Sequence, residues 1–352
     1  MTATPVAALH DARGSAFAPL SRQVKAAGLL ERRRVNYAMR FTATVGGFAA
    51  LWAVFVLVGD SWYQTIVAAA MGIAFTQVAF LGHDAGHRQI ARTRRVNDAL
   101  GLVVGDLLIG LCYGWWVDEH NQHHAHPNHE GQDPDIGESV ITFTDAQSRD
   151  RRGAVESFIA RHQALMFFPL LTLEGLNLHV EAITWLKNNR GRRRWLLEVA
   201  LQAAHVVLLF GALLLVLSPV KALVFLVIQQ AVWGVYMGCS FAPNHKGMPV
   251  IPEGQKLDFL RAQVLTTRNV RGGIVTDFLL GGLNYQVEHH LFPNMPRANL
   301  RKAQPLVKAH CAALDVLFTE TSLIGSYAMA LRHLHQVGAP LRAARRARPA
   351  VA

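Results

Sequence analysis

Cysteine is scarce in this chain of 352 residues. The three cysteines, Cys112, Cys239 and Cys311, lie far apart, and none belongs to a C-x-x-C pair. Cysteine zinc sites and thioredoxin-like motifs need such pairs, and small secreted domains built on disulfides need more cysteines, so these classes are excluded. We expect reduced thiols, as in a cytoplasmic or membrane protein.

Acidic residues are also few, with 24 Asp and Glu against 35 Lys and Arg, which leaves a formal net charge of +11. Such an excess can indicate nucleic-acid binding. We instead interpret the excess of positive charge as a signal that keeps the loops in the cytoplasm and as a means of contact with anionic lipid headgroups. We therefore predict no nucleic-acid partner. A secretory signal peptide is not expected either, because residues 1–40 are polar and basic.

Long apolar runs, in contrast, are abundant. The chain is 51% hydrophobic and its mean hydropathy is +0.19. A helix of about 20 residues crosses the hydrocarbon core of a bilayer. Four runs approach that length, namely Phe41–Val58, Gln64–Leu81, Leu196–Leu217 and Lys221–Ala242. Short turns join the first two and the last two, so the sequence predicts an all-α integral membrane protein with four transmembrane helices in two hairpins.

Lys and Arg residues are nearly absent from the turns of these hairpins. Seven Lys and Arg lie in residues 1–40, thirteen in 83–195 and fourteen after 242, whereas Lys221 alone lies in a turn. By the positive-inside rule, we expect the termini and both large polar regions to lie on the cytoplasmic side of the cell membrane. We therefore predict a basic N-terminal segment (1–40), a membrane domain with a cytoplasmic helical cap (41–335) and a basic, disordered tail (336–352).

Two shorter apolar stretches lie between the hairpins. Polar residues interrupt each of them, Asp106 in Ala99–Cys112 and Glu174 in Ala164–Leu178. A stretch that is amphipathic and short suits the membrane interface better than a full span. We therefore predict that both are interfacial or re-entrant helices.

Histidines are concentrated in three clusters at the ends of apolar stretches. The clusters read H-D-A-G-H, H-N-Q-H-H and Q-V-E-H-H, and they contain His83, His87, His120, His123, His124, His289 and His290. Residues three or four apart share one face of a helix, so each cluster can aim its rings at one point. Histidine is the commonest protein metal ligand, and imidazole suits iron, zinc, copper and nickel. Seven such residues exceed the needs of one metal and indicate two adjacent metals.

Gln286 occupies the position where a histidine would complete H-x-x-H-H in the third cluster. Its amide could bind metal directly, act through water or orient a neighbour. His245, which follows the fourth apolar run on the same side, is the residue that we expect to supply a further ligand, ahead of His179. His205 lies deep within the third run and is interpreted as a packed helix residue.

Other polar residues lie near the clusters. Pro127 separates His126 and His129 and breaks the helix, so we expect these two rings to point elsewhere. Asp84 and Glu288 adjoin cluster histidines and are candidates for carboxylates that accept the second ring N–H and so fix its tautomer. They could equally be charges on a helix surface. Further carboxylates near the clusters are Glu119, Asp133 and Asp135.

The three clusters, the last within G-G-L-N-Y-Q-V-E-H-H-L-F-P, closely resemble those of the membrane fatty acid desaturase family over roughly residues 30–320. The resemblance implies that the cluster histidines, with His245 as a further ligand, hold two non-haem iron ions. These use O₂ as co-substrate to remove two hydrogens from an acyl chain, leaving a cis double bond and water. The Q-x-x-H-H form is similar to front-end desaturases, which place the new double bond between an existing one and the carboxyl end.

Many front-end members carry a fused cytochrome b5 domain with an H-P-G-G motif. That motif does not occur here, and residues 1–40 are too short for the domain. The resemblance therefore implies a separate electron donor, such as a ferredoxin with a flavoprotein reductase, which the basic face could steer. The substrate would be a fatty acyl group carried as a coenzyme A ester, a carrier-protein ester or a membrane lipid.

Two other functions compete with desaturation. A membrane di-iron hydroxylase or ketolase of a lipid, alkane or carotenoid would share the ligands and retain oxygen in its product. A non-enzymatic membrane metal-binding or transport protein would place its ligands within the spans. The clusters lie outside the spans and only His205 is internal, so the sequence favours an enzyme.

Overall fold

A computed structural model of the chain describes residues 15–137 and 139–346. These residues are mostly helical, and four of the helices are long and apolar enough to cross a membrane. These features are compatible with the predicted all-α membrane class.

The elements follow one another with short connections. In chain order they are α1 (Phe17–Ala26), α2 (Arg34–Val58), α3 (Gln64–Gly86), α4 (Arg94–Leu102), a π-helix (Val103–Ile109), α5 (Tyr113–Ala125), a 3-10 helix (Pro134–Ile136), α6 (Asp145–Arg149), α7 (Ala154–Leu171), α8 (Glu174–Asn188), α9 (Trp195–Val216), α10 (Pro219–His245), α11 (Phe259–Leu265), β1 (Arg268–Val270), α12 (Ile274–Leu279), α13 (Gln286–Leu291), α14 (Arg297–Ala313), β2 (Thr319–Thr321), α15 (Leu323–Val337) and α16 (Ala339–Arg346).

The four candidate spans are α2, α3, α9 and α10. Three of them extend beyond the predicted apolar runs: α2 begins at Arg34, α3 continues to Gly86 and α10 continues to His245. Hydropathy marks only the part of a helix that suits hydrocarbon, whereas the helix itself continues until its backbone pattern breaks. As a result, His83 and His245 lie in the last turns of two long helices.

Helices α3 and α10 form the centre of the membrane domain. They approach closely at Gly72, where an added Cβ would lie 2.8 Å from the carbonyl oxygen of Gln229. Phe75 and Trp233 pack edge to face in the apolar core between them. Helices α2 and α9 lie outside this pair and are mostly exposed along their lengths, as expected for surfaces that face lipid.

The turns at the far ends of the spans contact each other. Asp60, between α2 and α3, accepts a hydrogen bond from the backbone N–H of Ser218 at 2.9 Å. Its carboxylate also pairs with Lys221, at 3.0 Å, near the start of α10. Both turns therefore lie on the same side of the molecule, opposite the histidine ends of α3 and α10.

The two short apolar stretches differ from each other. The first becomes α4, the π-helix and α5, which bend by 115° around Gly110 and could form a broken span or a re-entrant loop. The second does not form one interfacial helix, because a break at Thr172 and Leu173 divides it between α7 and α8.

The cap has its own apolar core, built from both ends of the chain. Leu20 of α1 packs there with Leu260 of α11, Val287 of α13 and Leu300 of α14. The predicted segment 1–40 is therefore divided, since residues 1–14 lie outside the described residues, α1 joins the cap and α2 starts at Arg34.

Two features of the cap correct the predictions. Strands β1 and β2 pair in parallel, with Arg268 opposite Thr319, so the fold is not purely helical. The disorder predicted for residues 336–352 is also wrong in part, because α16 occupies Ala339–Arg346. The remainder, residues 347–352, lies outside the described residues.

Candidate metal centre

Four helices deliver eight histidines to one place between the membrane domain and the cap. Two helices leave the membrane domain, α3 with His83 in its last turn and His87 immediately after it, and α10 with His245 at its end. The cap side is formed by α5 and α13. These two helices carry His120, His123, His124, His289 and His290.

The first group of rings comes from all three sequence clusters. One nitrogen from each of its four members lies within 4.8 Å of the others, and the members are His83, His87, His120 and His289. The rings of His83 and His87 each lie 4.7 Å from that of His289 between centroids. Four neutral imidazoles at these separations can surround one metal ion.

The second group contains His123, His245 and His290, whose nitrogens again lie within 4.8 Å of one another. Their ring centroids are 4.6 to 5.0 Å apart. His124 lies between the two groups, stacked on His290 at 4.2 Å and 4.6 Å from the ring of His87. The structure therefore brings together all eight histidines that the sequence indicated, seven of them in two adjacent groups and His124 between these groups.

The donor atoms fit a metal better than they fit a protein interior. Six of the eight rings have a buried nitrogen with no hydrogen-bond partner, and they are His83, His87, His124, His245, His289 and His290. A buried polar atom without a partner costs about 1–3 kcal/mol, so several such atoms facing one another would be unfavourable without a ligand. Metal ions accept the lone pairs of neutral imidazoles and would satisfy these atoms.

Burial favours the neutral form of several rings, whereas at His123 the carboxylates of Asp135 and Asp133 outweigh burial and raise the pKa. Burial lowers the pKa of His87, His289 and His290 well below the usual histidine value, and the neighbouring histidines lower it further. In these three rings the neutral form that ligates metals is therefore favoured at physiological pH.

Two histidines of the second group are oriented by buried polar partners. The Nδ1 atom of His123 lies 3.0 Å from a carboxylate oxygen of Asp133. The Nδ1 atom of His290 lies 2.9 Å from the side-chain oxygen of Gln263, whose amide N–H donates to the carbonyl oxygen of His124 at 3.0 Å. Since Nδ1 is engaged in both rings, the Nε2 atom of each would be left to bind a metal ion.

The three additional candidates have different surroundings. Asp84 lies 3.4 Å from Nδ1 of His83 and pairs with Arg297 at 2.7 Å, as a carboxylate that orients a ligand would. The amide nitrogen of Gln286 lies 3.3 Å from Nε2 of His245, beside the second group.

The partner of Glu288 differs from the one that we expected. Its carboxylate accepts a hydrogen bond at 2.7 Å from Asn269 of β1, and no histidine is among its described partners. This contact directs the carboxylate of Glu288 toward β1 rather than toward the histidine rings. Burial raises the pKa of this carboxyl to about 7.

Beyond these eight, the histidines of the described residues lie outside both groups. His126 and His129 follow the end of α5. His205 is held by the carbonyl oxygen of Leu107 at 3.0 Å, as expected for a packed helix residue. His179 contacts the carbonyl oxygen of Gly110 at 3.0 Å.

Comparison with known proteins identifies the family of the chain that carries this site. The fatty acid desaturase family model matches residues 60–322, which include all eight histidines. The chain belongs to the fatty acid desaturase family. It is therefore related to a class of oxidoreductases that act on acyl chains, as its histidine clusters indicated.

Curated relatives of the chain match most of its length. An acyl-lipid (9-3)-desaturase of Physcomitrium patens is 32% identical over 88% of the chain, and the chain spans 60% of that relative's length. The Delta(6)-fatty-acid desaturase fat-3 of Caenorhabditis elegans is 28% identical over 93% of the chain and 76% of the relative. A Delta(8)-fatty-acid desaturase of Euglena gracilis is 29% identical over 87% of the chain and 74% of the relative.

An apolar cavity reaches the first histidine group. Ala79, Gly82 and His83 of α3 line one side of it. Met237 of α10 also lines it, as does the ring of Trp116, which stacks on His120 at 4.4 Å. Its walls are mostly apolar, and its volume of about 20 Å³ is large enough for one water-sized molecule.

Gln263 is the site residue that the sequence did not indicate. It lies on α11, within neither a histidine cluster nor an apolar run, and it meets His290 only through the tertiary fold. Asp133 was visible as a carboxylate near the second cluster. Its pairing with His123 depends on the turn that follows α5 and has no separate sequence signal.

Proposed function

We propose that this chain is an O₂-dependent acyl desaturase whose two histidine groups each hold one iron ion. The adjacent groups, with buried ring nitrogens that have no protein partner, carry the proposal. Imidazole nitrogens accept several metals, and membership of the desaturase family favours iron among them. When bound, the iron pair supplies the O₂ chemistry needed to break an unactivated C–H bond, which no side chain breaks alone.

The protein's own residues would then hold and orient the ligands. Asp133 and Gln263 fix the ring orientations of His123 and His290, and Asp84 does so for His83. Gln286 would complete the surroundings of the second iron beside His245, either through its amide oxygen or through a bound water.

We further propose that the substrate is an acyl chain of a membrane lipid and that the desaturase is of the front-end type. The third cluster has the Q-x-x-H-H form. The relatives carry acyl-lipid, Delta(6) and Delta(8) names. The apolar cavity at His83, with Met237 and Trp116 among its walls, would have to widen to admit the chain.

The proposed topology has two membrane hairpins, with the cap and the active site in the cytoplasm. The contact between the two turns through Asp60 and Lys221 supports paired hairpins. The concentration of Lys and Arg on the other side supports a cytoplasmic cap. We propose that a separate carrier, such as a ferredoxin with its flavoprotein reductase, delivers electrons to this basic side.

The reaction is tested by gas chromatography and mass spectrometry of derivatised fatty acids from cells with and without the protein. We expect a new cis-unsaturated product in cells that express the chain and none with His290→Ala, because this change removes a ring from the second group. His335→Ala is the matched control, since His335 is exposed and lies in neither group. It should leave the product unchanged.

Two results would contradict the proposal. Hydroxylated or keto products without new unsaturation would indicate the hydroxylase or ketolase alternative. Full product formation by the His290→Ala variant would refute the ligand assignment.

A further inference from the structure

The short helix α12 exposes large apolar side chains although it belongs to the cap. Ile274 is 89% exposed, Val275 69% and Phe278 60%, and no residue of the helix is buried. Single exposed apolar residues are common on protein surfaces, but a contiguous group on one helix usually marks a contact surface. The structure therefore needs an occupant for this face.

The position of α12 indicates what covers its exposed apolar face. The carbonyl oxygen of Phe278 accepts a hydrogen bond at 3.3 Å from the side chain of Gln77 on the α3 span. Gln77 shares a helix face with Ile66 and Ile73, eleven and four residues earlier, which are 68% and 45% exposed. This face of α3 is part of the apolar surface that would contact lipid. Helix α12 thus continues that surface, about 9 Å along α3 from His83.

The polar side of α12 is fixed to the third histidine cluster. Asp277 accepts hydrogen bonds from the backbone N–H of Gly273 at 3.2 Å and from the side chain of Asn284 at 2.9 Å. The hydroxyl of Tyr285 also contacts its carboxylate, at 3.4 Å. Asn284 and Tyr285 directly precede Gln286, so α12 and the start of α13 are held together.

The segment after α12 also packs closely on α3. Gly281 has a left-handed φ of +60°, and an added Cβ there would lie 2.6 Å from the ring of Phe80. Together with the Asp277 bonds, this contact orients the exposed face of α12 away from the protein.

We infer that α12 is a membrane contact in addition to the four spans. Its apolar face inserts into the boundary between headgroups and hydrocarbon, where its partner is bilayer lipid. Arg271, exposed three residues before the helix, lies where it can meet headgroup phosphates. The insertion ties the third histidine cluster to the bilayer surface. The inference does not depend on which metal binds or which reaction follows.

The inference is tested with a nitroxide spin label at Val275→Cys in the full chain, reconstituted into phosphatidylcholine and phosphatidylglycerol liposomes. A Cys239→Ser background limits labelling to the new site, because Cys112 and Cys311 are buried. The measurement compares collision rates of the label with O₂, which enriches in lipid, and with a water-soluble nickel chelate. Ile274→Cys provides a second reading of the same face.

Two control positions calibrate the experiment. Leu215→Cys lies on the exposed face of the α9 span, and Lys256→Cys lies in an exposed loop of the cap. We expect the O₂-to-nickel ratio at Val275 to exceed that at Lys256 several-fold and to approach that at Leu215. A ratio equal to that at Lys256 would overturn the inference. Protection from both agents would overturn it in favour of a protein partner.

Discussion

At the scale of single residues, spacing predicted the histidines because helix periodicity is local. Residues three or four apart meet on one face whatever the rest of the fold does, so each cluster could be recognised by itself. Gln263 could not be found in this way, since its contact with His290 joins two separate helices. Glu288 shows the opposite failure. It adjoins His289 in sequence, yet its partner is Asn269 on a strand.

Gln263→Ala tests whether this side chain positions a metal ligand. The change frees Nδ1 of His290 and removes the amide that binds the carbonyl oxygen of His124. Loss of such a partner typically lowers metal affinity or activity about 10–100-fold. We expect reduced iron retention on dialysis against a chelator, with a parallel loss of product.

Gln255→Ala is the matched control, because Gln255 is an exposed residue of the same cap. It should retain iron as the unchanged protein does. Equal retention by both variants would show that Gln263 does not position His290.

At the scale of elements, hydropathy located all four candidate spans but not their ends. The histidine-bearing ends of α3 and α10 extend beyond the apolar runs, where the side chains turn polar while the backbone remains helical. Strands β1 and β2 were missed because each has three residues and pairs with a distant segment. Such short strands carry no recognisable alternation of apolar and polar residues.

Gly72→Ala tests the close packing of α3 against α10. The new Cβ would lie 2.8 Å from the carbonyl oxygen of Gln229 and 2.9 Å from Cβ of Val232, so the helices must separate. Overpacking of this kind costs about 1–3 kcal/mol. We expect a lower thermal unfolding midpoint in detergent.

The comparison for this variant is Gly47→Ala on α2, where an added Cβ meets nothing within 4 Å. Its midpoint should equal or exceed that of the unchanged protein, because alanine favours helix. Equal midpoints for both variants would contradict the proposed contact.

At the scale of the whole molecule, charge distribution and spans indicated one histidine-bearing side. They could not show how the cap is assembled, because its core joins α1 near one end of the chain to α11, α13 and α14. Those contacts depend on shape complementarity between segments that are far apart in sequence. The cavity at His83 is likewise a product of tertiary packing.

The proposed orientation predicts which residues a membrane-impermeant thiol reagent can reach in intact cells. Tyr63→Cys, in a turn between two spans, should be labelled from outside, since Tyr63 is 72% exposed. Lys256→Cys, in the cap, should be labelled only after the membrane is opened. The reverse pattern would show that the cap lies outside the cytoplasm.

The metal content of the purified protein tests the central claim most directly. Inductively coupled plasma mass spectrometry should find two iron ions per chain, one for each histidine group. His289→Ala and His290→Ala, which remove one ring from the first and second group respectively, should both lower this number, while His335→Ala keeps it at two. Zinc or copper in place of iron, or an unchanged iron content in both ligand variants, would contradict the account.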